Sequence, residues 1–115
     1  MTDLERAILV SYLQDCSGSG FVLSRIQRSR SGELVPDHWS GNCVFVDFYP
    51  DRAVVTHQWI GDTEGRDAAV AISLDDAEAL LRAEPAAQAS VMSKVVPLPP
   101  RPEPAEPVAA PDPAA

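Results

Sequence analysis

Residues 43–60 read CVFVDFYPDRAVVTHQWI, and this stretch decides the fold. From Cys43 to Tyr49 the apolar side chains alternate between two faces, which is the period of a β-strand. The residues from Tyr49 to Arg52 predict a tight turn, because the proline presets the first corner and the aspartate tolerates the second. Ala53 to Ile60 would then be the returning strand, and we predict an antiparallel hairpin.

An amphipathic helix is predicted near the start of the chain. Thr2 and Glu5 have the spacing of a capping box, in which each side chain accepts the other residue's backbone N–H. The residues that follow repeat at helical spacing and give one apolar face: Leu4, Ile8, Leu9, Tyr12 and Leu13. Gly18 and Gly20 come next, and we expect this glycine-containing segment to end the helix.

Two further strands are predicted, one before the hairpin and one after it along the chain. Phe21 to Gln27 begins with β-forming apolar residues, and Ala68 to Ile72 is a short apolar run. Residues 28–42 are predicted to be a long polar connection, a kind of segment that is often functional. Together with the hairpin, these runs predict four antiparallel strands.

The C-terminal half predicts more helix and then a tail. Ser73 with Asp76 three residues later indicates a second helix cap, and Ala86 to Val96 can form a third helix. Eight of the 19 residues from Pro97 to Ala115 are proline, so residues 97–115 are predicted to be a disordered tail. The fold class is therefore α+β: one domain over residues 1–96, with a small antiparallel sheet of about four strands covered by two or three helices.

The composition is acidic and contains no membrane-spanning run. Nine Lys plus Arg against 17 Asp plus Glu give a formal net charge of −8. Such a field repels nucleic-acid phosphates and speeds the encounter with a basic protein surface. No apolar run approaches the roughly 18 residues of a transmembrane helix. Asp3 and Glu5 stand where a signal peptide would have basic residues, so we expect a cytoplasmic protein that does not bind membranes.

The chemically versatile residues show no catalytic or metal-binding pattern. Cys16 and Cys43 have no metal-motif spacing, and we expect reduced thiols, with one disulfide between them as the alternative. Cys43 and His57 are expected to lie close together across the hairpin, where they could line a pocket with Trp59. Because nothing indicates an activated nucleophile, we predict no catalytic residues, no cofactor and no metal, and so no enzyme.

Arg25, Arg28 and Arg30 form a basic cluster that could contact an anion together with His38 and Trp39. The net charge favours another interpretation, in which these arginines are solvated and balance acids elsewhere in the fold.

The composition best fits a non-catalytic acidic protein that binds another protein, such as an inhibitor or immunity-type protein from a bacterium or phage. The alternatives are a small enzyme or small-ligand domain near His57 and Cys43, and an accessory subunit tethered by its tail.

Trp39 is expected either beneath its loop or exposed to the partner, whereas Trp59 is expected in the core. The predicted partner-binding residues are Trp39, Asp62, Glu64, Asp67, Asp75, Asp76 and Glu78. Pairing of an exposed strand edge, at 21–27 or 68–72, would instead give a homodimer.

Overall fold

The computed structural model describes residues 1–17, 20–33, 37–61, 65 and 67–99. Within these residues the chain forms four α-helices and a four-stranded antiparallel sheet, which confirms the predicted α+β class. In chain order the elements are α1 (Asp3–Cys16), α2 (Gly20–Arg30), β1 (Asp37–Ser40), β2 (Val44–Phe48), β3 (Arg52–Gly61), β4 (Asp67–Ser73), α3 (Leu74–Arg82), a 3-10 turn (Pro85–Ala87) and α4 (Gln88–Met92).

The predicted hairpin is confirmed as β2 and β3, and the sheet order is β1-β2-β3-β4. Val46 faces Val55 in the register, and the Tyr49 N–H donates to the Arg52 carbonyl at 2.9 Å to close the turn. The alternation is also confirmed, because Val44, Val46 and Phe48 are buried while the residues between them are half-buried.

Helix α1 begins and ends as the sequence predicts. The Thr2 N–H donates to Glu5 Oε1 at 2.8 Å and the Glu5 N–H donates to Thr2 Oγ1 at 3.1 Å, so the capping box is complete. The helix ends at Cys16, immediately before the predicted stop. Four of the five predicted apolar residues are buried, and the exception is Leu4, which lies in the exposed first turn.

The strand predicted for Phe21 to Gln27 is wrong, because these residues belong to α2. Val22, Ile26 and Ser29 recur every three or four residues and are all fully buried, which is a helical repeat. Phe21, which most favoured a strand, is 77% exposed. One candidate edge for homodimer pairing therefore does not exist.

The missing fourth strand lies inside the stretch predicted as a polar loop. Asp37–Ser40 forms β1 and pairs with β2, with Trp39 opposite Val46. Residues 34–36 of that stretch lie outside the described part, as do 62–64 and 66 of the predicted turn after Ile60. The predicted number of strands was right, although one of the four segments was misplaced.

The C-terminal elements follow the sequence prediction closely. Ser73 caps α3 by accepting the Asp76 N–H at 3.0 Å. The third helical segment is confirmed in shorter form as the 3-10 turn and α4, from which Met92 is buried. The predicted start of the disordered tail is wrong for residues 97–99, because the Leu98 N–H donates to the Ala71 carbonyl at 2.8 Å and binds this segment to the outer edge of β4. Residues 100–115 lie outside the described part.

Two layers result, with the helices on one face of the sheet. The strand residues on that face form a single core with residues of α1, α2 and α3. Phe45, Asp47 and Val54 from the two central strands lie on the opposite face and are half-buried. This second face and the outer helical surface are where the chain can meet other molecules.

Candidate functional surfaces

The acidic residues predicted on α3 bind arginines of the same chain. Arg30 contacts Asp75 at 2.9 Å and Glu78 at 3.0 Å, and Arg82 contacts Glu78 at 2.6 Å. Hydrogen bonds from Arg82 and then from Arg30 lower the pKa of the Glu78 carboxyl. These acids therefore connect α3 to α2, and part of their charge is neutralised before any partner arrives.

The arginine cluster has the solvated, charge-balancing role that the net charge favoured. Besides the contacts of Arg30, Arg25 forms an ion pair with Asp37, and Arg28 contacts Glu33 at 3.2 Å. An anion that contacted this cluster would have to displace these carboxylates.

The structure describes only some of the other predicted partner residues. Asp62 and Glu64 lie outside the described residues, and Asp67 is exposed at the start of β4. Asp76 lies in the first turn of α3. Trp39 is half-buried and packs against the core, which matches the tucked alternative. The structure thus does not gather these residues into one described patch.

The core position predicted for Trp59 is wrong. This side chain is 73% exposed, and its indole N–H donates to the Asn42 carbonyl at 3.3 Å. The register of β3 against β4 shifts between Thr56 and Gly61, so the face on which later side chains lie cannot be extrapolated from Val55.

Cys43 and His57 are offset by one residue in the register of the hairpin. The register places Val44 opposite His57, and the Gln58 N–H donates to the Cys43 carbonyl at 2.8 Å. His57 is buried, and its Nδ1 accepts the backbone N–H of Trp59 at 3.0 Å.

The two cysteines are free thiols. Burial, and secondarily the charge of Asp15, raises the pKa of the Cys16 thiol to about 12, which disfavours the reactive thiolate. Among the described residues, no three His, Cys, Asp or Glu side chains are placed to hold a metal ion.

An apolar groove lies between α1 and the segment that contains the 3-10 turn and α4. Its volume is about 610 Å³, and the buried side chains of Leu13 and Met92 line it together with Val10, which is 41% exposed. Polar side chains of Gln14 and Gln88 are also part of the lining. Sequence reasoning missed this groove because it depends on how α4 packs beside α1, which no local pattern specifies.

A serine, a histidine and an aspartate form a connected cluster on the open face of the sheet. His38 Nδ1 lies 2.7 Å from Asp47 Oδ1, and His38 Nε2 lies 3.1 Å from Ser40 Oγ. The imidazole of His38 is also 5.3 Å from the ring of Phe45, measured between centroids. We call Ser40, His38 and Asp47 the Ser-His-Asp cluster.

Local structure explains how the cluster forms. His38 and Ser40 are two residues apart on β1 and therefore share a face, and the register places His38 directly opposite Asp47. The sequence signal was the spacing His-x-Ser combined with an aspartate in the neighbouring strand. This spacing indicates a shared face only if residues 37–40 form a strand, whereas the sequence predicts a loop there.

No family model, curated protein or solved structure matches this chain. Within the described residues, no helix has both the length and the apolar character needed to cross a membrane.

Proposed function

We propose that this protein is a protein-binding domain whose partner docks in the groove between α1 and α4. The observation that supports this proposal most directly is the apolar groove itself, in which Val10 is 41% exposed beside the buried floor of Leu13 and Met92. Protein interfaces commonly combine an apolar centre with a polar rim, and Gln14 and Gln88 are placed to serve as such a rim.

The shape of the groove suits an elongated partner segment. The wall formed by α1 and its cap residue runs from Arg6 to Ser17, which corresponds to about 16 Å along the helix axis. About three turns of an amphipathic helix would match this length and could place apolar side chains over Leu13 and Met92. We therefore expect the partner to contribute a helix or an extended segment with one apolar stripe.

Charge supports a basic partner. The net charge of −8 gives a negative field that attracts a cationic surface over long range. The internal ion pairs of Asp75 and Glu78 limit what α3 adds at short range. In this proposal charge sets the association rate and the groove supplies the contact energy, as in small acidic inhibitors of cationic proteins.

The test is affinity capture from the native host with two matched charge-introducing variants. Val10→Glu places a carboxylate in the groove, whereas Phe21→Glu changes an apolar residue on α2 that is 77% exposed and does not line the groove. A carboxylate in the apolar groove would have to lose its hydration when the partner docks, so Val10→Glu should weaken capture at least about tenfold while Phe21→Glu leaves it intact. Thermal unfolding of both variants checks that each remains folded.

Three results would count against the proposal. Absence of any stoichiometric protein partner would remove protein binding itself. Loss of capture with Phe21→Glu and not with Val10→Glu would exclude the groove. An affinity that does not change between low and physiological salt would exclude electrostatic steering.

The tethered-subunit alternative gains one observation. The Leu98 N–H and the Pro99 carbonyl are both bonded to the domain, the latter accepting from Arg52 Nη1 at 2.9 Å. Any segment that continues past Pro99 therefore starts from a fixed point on the sheet. If deleting residues 100–115 abolishes capture while Val10→Glu does not, the tail carries the interaction.

A further inference from the structure

We propose that Ser40 is a nucleophilic serine that accepts acyl groups from aryl esters, with His38 as its general base and Asp47 holding the imidazole. This activity is separate from partner docking in the groove. It also departs from the prediction, made from the sequence, that no residue of this chain is catalytic.

The proposed proton positions follow from which atoms can donate and which can only accept a hydrogen bond. An ionised carboxylate can only accept hydrogen bonds, so the contact between Asp47 Oδ1 and His38 Nδ1 requires the proton on Nδ1. In the neutral ring Nε2 is then an acceptor, and the Ser40 hydroxyl donates to it across 3.1 Å. This is the arrangement in which a histidine can withdraw the serine proton.

The backbone register holds these atoms together. The Gly41 N–H donates to the Val44 carbonyl at 2.8 Å, so Gly41 and Val44 are a hydrogen-bonded pair of the β1-β2 ladder. Pairs alternate along an antiparallel ladder, which makes His38 and Asp47 a non-hydrogen-bonded pair. Side chains approach more closely in such pairs, and this explains the short contact between them.

The same alternation supplies a hydrogen-bond donor for the reaction. Ser40 also belongs to a non-hydrogen-bonded pair, so its backbone N–H points away from β2, toward the outer edge of β1. A carbonyl carbon attacked by Ser40 Oγ could therefore place its developing oxyanion near the Ser40 N–H. One donor is fewer than efficient enzymes use, and a missing donor costs about 10²–10³ in rate. We therefore expect slow turnover and a preference for activated esters.

The neighbouring aromatic ring indicates which esters fit. Phe45 lies directly opposite Ser40 in the register and tilts at 39° to the His38 ring. An aryl leaving group can pack against Phe45 while its ester carbonyl lies above Ser40 Oγ. The open face excludes little water, so a good leaving group such as a nitrophenolate is needed.

The reaction proceeds in two balanced steps. In the first, Ser40 Oγ bonds to the acyl carbon and its proton moves to His38 Nε2. That proton then passes to the aryl oxygen as the bond from the acyl carbon to this oxygen breaks, so the phenol leaves and the imidazole is neutral again. In the second, water attacks the acyl-serine, its proton passes through His38 Nε2 to Ser40 Oγ, and the carboxylic acid leaves. Ester and water are consumed, acid and phenol are formed, and no redox partner is needed.

The test is labelling with an alkyl fluorophosphonate, followed by mass spectrometry of the intact chain and of its peptides. Ser40 Oγ would bond to phosphorus, fluoride would leave, and the serine proton would pass to His38. One adduct per chain is expected, located on Ser40. Hydrolysis of p-nitrophenyl acetate is measured in parallel, with Ser40→Ala giving the rate that the His38 imidazole alone supports.

Variants separate the cluster from ordinary serine reactivity. His38→Gln removes the base and should slow labelling about a hundredfold, the lower end of what general-base catalysis contributes. Asp47→Asn should slow it at least about tenfold, because the amide no longer favours the productive tautomer. Ser24→Ala, at an exposed serine of α2, should label like the wild type. Thermal unfolding is recorded for all of them.

Several outcomes would overturn the proposal. A wild-type chain that remains unlabelled, or an adduct found elsewhere, excludes Ser40 as a nucleophile. Labelling rates for folded His38→Gln and Asp47→Asn that equal the wild-type rate would show that Ser40 reacts without the cluster.

Discussion

Removing the Asp15 carboxylate should destabilise the fold, because this carboxylate connects the end of α1 to the start of β2 through two hydrogen bonds. Its Oδ2 accepts the backbone N–H groups of Cys43 at 2.7 Å and Val44 at 2.9 Å. Hydrogen bonds to a charged group contribute about 1.5–3 kcal/mol each. The side chain is half-buried, so we take the lower end for both bonds and expect Asp15→Ala to cost about 3 kcal/mol.

The assay is urea unfolding followed by circular dichroism. With an m-value of about 1 kcal/mol/M for a domain of this size, the midpoint should fall by about 3 M with little change in slope. Asp15→Asn retains a neutral oxygen acceptor and should lose only about 1 kcal/mol. Glu84→Ala, at an exposed residue whose side chain makes no capping bond, is the control and should stay within about 0.5 kcal/mol of the wild type. If Asp15→Ala also remained within that range, the two hydrogen bonds would add nothing measurable to the free energy of unfolding, which would refute this prediction.

Three shorter predictions concern packing, pH and thiol chemistry. Gly41→Ala should lower the unfolding free energy by about 1–3 kcal/mol in the same urea assay, because a Cβ there would lie 2.7 Å from Asp15 Oδ2 and from the Trp39 ring. The lowered pKa of Glu78 contributes stability that is present above the unfolded-state pKa of about 4.3 and is lost as pH falls through the native value. Glu78→Gln should therefore cost up to about 1 kcal/mol at pH 7 and nothing at pH 2, and an equal cost at both pH values in thermal melts would contradict this. Cys16, fully buried and with a pKa of about 12, should resist iodoacetamide at pH 8 until urea is added, and rapid native alkylation detected by peptide mass spectrometry would contradict its burial.

The parts of the fold that the sequence predicted are those where several local signals agree. In the hairpin, the alternating pattern and the proline-containing turn indicate the same register, and β2 and β3 formed as expected. In α1, the capping box and the apolar repeat likewise agree on where the helix begins. Each of these signals is local in the chain, so no knowledge of tertiary packing was needed.

Helix α2 was missed because a local preference opposed the longer-range pattern. The run Phe21–Val22–Leu23 favours a strand, whereas the spacing from Val22 to Ile26 and Ser29 fits a helix packed on one side. Burial decides the outcome: the helix buries Val22 and Ile26 completely and leaves Phe21 in solvent. Propensity is a weak guide when packing favours the other structure.

Strand β1 could not be predicted from its own residues. Asp37–Ser40 contains one large apolar side chain, Trp39, and no apolar alternation. It becomes a strand only because β2 offers an unpaired edge to which its backbone can bond. The Ser-His-Asp cluster depends on that pairing, so it was hidden from sequence reasoning together with the strand.

The two outer strands of the sheet differ in a way that bears on function. The outward backbone of β4 is partly used by the chain itself, since the Leu98 N–H bonds to Ala71. On β1 the outward positions are those of His38 and Ser40, the residues that also place their side chains on the open face. A shift of one residue in the β1-β2 register would turn His38 and Ser40 toward the helices and would abolish both the cluster and its backbone donor. The proposed reaction at Ser40 therefore depends on this register. In a non-hydrogen-bonded pair the two α-protons face each other, so a nuclear Overhauser contact between the α-protons of His38 and Asp47 would test the register directly.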